Sequence, residues 1–168
     1  MTTKRASAIC GSTFLVTSQD EFSARLTWAT LHHLQLLHGE EDMPRIAYVS
    51  LAPTLVFVGF STRPDPPMLW GGAELQTGDM IFHGRGEQFH QRTTGPCSWS
   101  LVGLAPQHLE RYGGALSGKP LSAPAAARIL RPSARDMARL RRLHAQACRL
   151  TETRLKVLAH PEVARATA

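Results

Sequence analysis

Residues 68–104 read MLWGGAELQTGDMIFHGRGEQFHQRTTGPCSWSLVGL, and this stretch decides the fold. Four apolar runs, Met68 to Leu75, Asp79 to His83, Gln88 to Thr93 and Cys97 to Leu104, are separated by Thr77-Gly78-Asp79, Gly84-Arg85-Gly86 and Thr94-Gly95-Pro96. The runs have strand length rather than helix length, and each break carries turn-forming residues. Working outward, Thr13 to Thr17, Arg45 to Leu51 and Thr54 to Phe60 read as further strands. The last is apolar on both faces, as a central strand is. Arg63-Pro64-Asp65-Pro66-Pro67 cannot extend a ladder, because proline has no N–H to donate. About eight short strands at this spacing predict a β-rich α+β protein, its sheet closed as a barrel or jelly roll, which limits exposed edges.

Phe22 to His38 alternates in character, with Leu26, Trp28, His32, Leu34 and Leu36 on one face. Leu31 and Leu37 fall on the other, and a bulge near His32-His33 would restore the pattern. Gly39-Glu40-Glu41-Asp42 then reads as a turn.

The character changes near Pro120. Residues 125–168 hold ten Lys and Arg against three Asp and Glu, whereas residues 1–124 hold nine against ten. The overall net charge of +6 therefore belongs to the tail. Pro106 to Tyr112 predicts a short helix stopped by Gly113-Gly114. Ser133 caps a longer helix running to about Thr151, with Asp136 in a shortened capping box. His160-Pro161 opens another helix. The division expected is a barrel with a closing helix over 1–112, a loop over 113–122 and a helical region over 123–168.

At 168 residues, 43% hydrophobic and 19% charged, the chain has the size and composition of one globular domain with an appendage. No apolar run reaches the roughly 20 residues of a membrane span, and the N-terminal stretch lacks the apolar core of a signal peptide. Three widely spaced cysteines, Cys10, Cys97 and Cys148, suit a reducing compartment, so the expected location is the cytoplasm.

Residues 124–133 (PAAARILRPS), Leu140-Arg141-Arg142-Leu143-His144 and Leu158-Ala159-His160-Pro161-Glu162-Val163-Ala164 resemble the connecting region of AraC/XylS-type bacterial transcription regulators. Trp70-Gly71-Gly72, Gly78-Asp79 and the strand reaching Ala105-Pro106 resemble the sensor half of the same family. The resemblance implies a cupin-like barrel that binds a small-molecule effector and dimerises through its helices. It also implies DNA binding only through a C-terminal helix-turn-helix region, which these 168 residues do not include.

Within the expected barrel, Trp28, His32, Trp70, Phe82, His90 and Trp99 could line an effector pocket or simply fill the interior. On the long helix, Met137, Leu140, Leu143, Ala147 and Leu150 form an apolar stripe. It fits packing on the barrel, a twin helix in a homodimer, or both. Arginines from Arg128 to Arg154 could contact phosphate, but with no base-reading pattern interleaved they read first as a solvated and interface face. His32-His33, being adjacent, would point to opposite faces of a strand, and His83, Glu87 and His90 lack a His-x-His pair. No cofactor or metal is expected. No nucleophile with an adjacent base stands out, so the expectation is a binding domain rather than an enzyme. A small cupin-type metalloenzyme and a solidly packed interaction module are the alternatives.

Overall fold

The computed structural model describes residues 10–16, 22–63 and 66–158. Ten strands come first: β1 (Cys10–Val16), β2 (Ala24–Leu31), β3 (Leu34–Glu41), β4 (Arg45–Leu51), β5 (Val56–Ser61), β6 (Met68–Trp70), β7 (Ala73–Leu75), β8 (Met80–Phe82), β9 (Gln88–Thr93) and β10 (Cys97–Leu104). Helix α1 (Pro106–Ser117), strand β11 (Arg128–Leu130) and helix α2 (Ala134–Leu158) follow. All pairings are antiparallel. They form one sheet in the order β1-β4-β9-β6-β7 and another in the order β11-β8-β5-β10-β3-β2. From β3 to β10 the chain changes sheet at nearly every connection, so residues close in sequence face each other across the core. Trp70, Phe57, Leu101, Met68, Ile81 and Phe89 meet there.

Close packing explains two glycines. A Cβ at Gly59 would lie 2.6 Å from the Trp70 ring, and one at Gly39 would lie 2.4 Å from Trp99. Both tryptophans thus lie flat against bare backbone of the six-stranded sheet.

Several sequence expectations need correction. Phe22 to His38 is not one bulged strand: β2 and β3 form a hairpin, with Leu31 opposite Leu34 and His32-His33 as its two-residue turn. His32 adopts φ 52, a conformation a two-residue turn of this kind uses. Reversal of the chain places Leu37, not Leu36, beside Trp28. Glu41 belongs to β3 rather than to a turn. Met68 to Leu75 is likewise a hairpin, folded at Gly71-Gly72, both with positive φ. Residues 123–168 are not wholly helical, since β11 extends the six-stranded sheet by pairing with β8. The predicted helix opening at His160-Pro161 lies outside the described residues.

Helix α1 runs through Gly113-Gly114 and ends at Gly118, whose φ is 71 and whose N–H reaches the Gly114 carbonyl at 3.0 Å. Gly113 is present for close approach: a Cβ there would sit 2.5 Å from Leu121 Cγ, whereas one on Gly114 would meet nothing. Gly113→Ala should therefore cost about 1–3 kcal/mol by overpacking, while Gly114→Ala should gain about 1 kcal/mol of helix propensity. Urea titration of the two variants checks this opposite pair of signs.

Candidate functional site

The interior holds a buried ion pair. Arg45 is fully buried and Glu41 nearly so. Arg45 Nε donates to Glu41 Oε2 at 2.5 Å and Nη2 to Oε1 at 3.1 Å. Nη1 donates to the Gln91 carbonyl at 2.9 Å, and Nη2 also reaches the Gln91 side-chain oxygen. The Trp99 indole N–H and the Cys97 thiol both donate to Glu41 at 3.0 Å. Burial, and then the Glu41 charge, push the Cys97 thiol up to about 12, so it is protonated and no nucleophile.

A second polar link crosses between sheets. His83, fully buried, accepts the Trp70 indole N–H on Nε2 at 3.0 Å and meets Glu87 Oε2 through Nδ1 at 2.9 Å. That fixes the proton on Nδ1 and occupies both ring nitrogens. Burial holds this imidazole below its ordinary pKa, with the Glu87 hydrogen bond pulling the other way. His90 is exposed against Tyr48 and does not join them.

The six residues expected to line an interior pocket are not gathered. Trp70 and Trp99 are buried and border a cavity of about 10 Å³, room for roughly one water. Trp28 is 43% exposed on edge strand β2, its indole N–H bonded to Gln35 at 3.1 Å. His32 lies in an exposed turn, His90 on the outer surface, and Phe82 is half-buried. The hairpin at His32-His33 is the reason Trp28 and His32 lie outside the core.

Helix α2 lies across the outer face of β2 and β3 and presents three faces. Ser133 caps it, accepting the Asp136 N–H at 3.1 Å. Met137, His144 and Cys148 are buried beneath it. Leu140 and Ala147 are half-buried, while Leu143 and Leu150 are 51% and 63% exposed, an apolar flank beside the buried seam. Arg141, Ala145 and Arg149 form the opposite flank. They border a cleft of about 340 Å³ whose other wall is Arg25, Thr27, His38, Glu40 and Thr62. Arg141 Nε donates to the Ser61 carbonyl at 3.2 Å, but its buried Nη2 has no hydrogen-bond partner.

Behind His38 and His144, which line this cleft, the buried Ser100 hydroxyl stands 3.1 Å from His38 Nδ1 and 3.4 Å from His144 Nδ1. Cys148 Sγ also approaches His144 Nδ1, at 3.7 Å, and the ring meets Phe60 edge-on at 5.5 Å. The sequence reading singled out neither Arg25 nor His38 and took Arg141 as part of a solvated face. The available signal was the period-2 placement of His38 and Glu40 on the face opposite Leu37. Among the described residues no three His, Cys, Asp or Glu side chains are grouped to hold a metal ion.

An AraC-like transcriptional activator, CuxR, superposes on 94% of the chain with a TM-score of 0.51 at 19% identity. The chain has the fold of part of an AraC-like activator. It spans 57% of that protein. A Pseudomonas aeruginosa protein named as glyoxylate-induced (TM-score 0.31, 13% identity, 70% of this chain and 52% of that one) is too loosely superposed to bear on the argument. The same holds for hazelnut vicilin from Corylus avellana (0.24, 11%, 70% and 36%). No protein-family model and no curated protein matches the sequence. No helix among the described residues is long and apolar enough to cross a membrane.

Burial, then the charge of His38, bring His144 down to about 4, opposed only by the Leu37 backbone. The folded chain thus keeps His144 neutral where the unfolded chain protonates it. Stability from this group is complete above pH 6.5 and is lost as pH falls towards 4, by about 3 kcal/mol. Urea titrations at several pH values should show a shallower slope over this range for His144→Gln than for the parent.

Proposed function

We propose that this chain is the effector-sensing and dimerisation domain of a bacterial AraC-type transcription regulator, its paired sheets a cupin-like barrel. The observation that carries the reading is the superposition on an AraC-like transcriptional activator across nearly the whole chain. The repeated crossing between two antiparallel sheets supports the cupin-like description. The resemblance of residues 124–133 and 140–144 to the connecting region of such regulators supports it from the sequence side. DNA contact, on this reading, belongs to the helix-turn-helix region of the regulator, and the chain itself binds rather than catalyses. The protonated Cys97 thiol and the doubly hydrogen-bonded His83 favour binding over the metalloenzyme alternative.

Dimerisation rests on the apolar flank of α2. Leu143 and Leu150 are seven residues apart and exposed, next to half-buried Leu140 and Ala147. Two such flanks can meet as a short coiled-coil seam while Met137, His144 and Cys148 stay on the barrel. The parent chain should sediment as a dimer at tens of micromolar, a typical range for a modest interface. Leu143→Asp with Leu150→Asp should give a monomer with unchanged circular dichroism, since neither side chain is core. A monomeric parent, or a variant that still dimerises, would contradict the reading.

A further inference from the structure

A narrow seam holds helix α2 on the sheet. Among its described side chains only Met137, His144 and Cys148 are buried, and none of the three belongs to the core between the two sheets. A unit with so little buried surface opens more readily than the core it covers. Arg141 Nε on the Ser61 carbonyl and His144 Nδ1 beside Ser100 Oγ join the helix to β5 and β10. The centre of the seam is thus an imidazole, not an apolar side chain.

The surroundings of His144 favour its neutral form. The Ser100 hydroxyl lies between two imidazoles, 3.1 Å from His38 Nδ1 and 3.4 Å from His144 Nδ1. It has one proton to donate, and a neutral imidazole has one nitrogen to accept it. Cys148 Sγ stands 3.7 Å from the same His144 nitrogen, and Nε2 is buried without a hydrogen-bond partner. From β5 and β10 the imidazole meets Phe60 and Ser100, neither of which titrates. The titratable and charged groups around it are Arg25 on β2, His38 and Glu40 on β3, and Arg141, Cys148 and Arg149 on α2. Glu40 is the one carboxylate in that set. It lies 3.6 Å from His38 Nε2 and 3.7 Å from Arg63, so it serves those two cations and not His144.

We propose that His38, Ser100 and His144 form a proton-operated latch. The neutral cluster seats α2 on the sheet, and a proton taken up from solvent by His144 releases the helix while the paired sheets stay folded. On the released helix the imidazole is hydrated and holds its proton as an ordinary histidine does. In the seam, burial and then the His38 charge bring it down to about 4. Seating is therefore complete above pH 6.5 and weakens as pH falls towards 4, by about twentyfold between pH 7 and pH 5. Leu143 and Leu150 ride on the same helix, so release also parts a dimer joined through them. That second step rests on the dimerisation reading above; the latch does not.

Hydrogen exchange of the full 168-residue chain at pH 7, 6 and 5, corrected for the intrinsic rate at each pH, tests the latch. The α2 amides around His144 should exchange well ahead of those in β10 at every pH, and their protection should fall about twentyfold from pH 7 to pH 5. His144→Gln should hold that fall within about twofold, and His38→Gln should leave a smaller fall than the parent shows. His90→Gln, on the outer surface against Tyr48, should keep the full fall. Protection in α2 equal to that in β10 would mean the helix leaves only when the whole chain unfolds, and overturns the proposal. So does an α2 protection that is unchanged between pH 7 and pH 5, or a His144→Gln variant that keeps the full fall. Sedimentation at the same pH values separates the two readings. Dissociation in step with helix exchange supports both, whereas a dimer that persists as α2 protection falls upholds the latch and contradicts the α2 seam as the dimer contact.

Discussion

The buried ion pair between Glu41 and Arg45 is the constraint on which the rest of the structure depends. Glu41 ends β3 in one sheet, and Arg45 opens β4 in the other, only four residues later. Two unpaired charges at that depth would each cost several kcal/mol, so neither residue can be buried without the other. The pair closes the turn, sets which faces of β3 and β4 look inward, and draws Gln91, Cys97 and Trp99 to the same point. Trp99 lies flat on Gly39 as a result, and Trp70, anchored by His83, fills the rest of the interior. The space between the two sheets is thereby filled with side chains.

Its outer face is where the molecule keeps options. The face of the six-stranded sheet opposite the core carries His38, Ser100 and Phe60, and α2 covers it with His144 rather than with a larger apolar side chain. One helix thereby presents three surfaces: a buried seam, an exposed apolar flank, and a basic flank bordering a cleft.

Strands β4, β9 and β10 were legible to the residue, because turn chemistry bounds them on both sides. The β2–β3 hairpin was not: His32-His33 is an unusual turn pair, and a strand reversal without Gly or Asn leaves no local signal. Gly113-Gly114 misled in the other direction, since close contact with Leu121, not chain reversal, requires the first of them. Strand β11 could not be read because three residues carry no periodicity; pairing with β8 alone defines it. The aromatic residues were read as one set, but only tertiary packing separates buried Trp70 and Trp99 from exposed Trp28. The cleft was invisible for the same reason, its residues coming from β2, β3 and α2, more than a hundred positions apart.

The account's central claim is that the Glu41–Arg45 pair holds the two sheets in register around a filled interior. A double-mutant cycle with Glu41→Gln, Arg45→Met and the combined variant, followed by urea unfolding, tests it most directly. Each single change should cost about 3–5 kcal/mol by stranding a buried charge, and the double variant should cost clearly less than the two together. Single losses below about 1 kcal/mol that simply add would contradict the claim, since that is how exposed and independent charges behave.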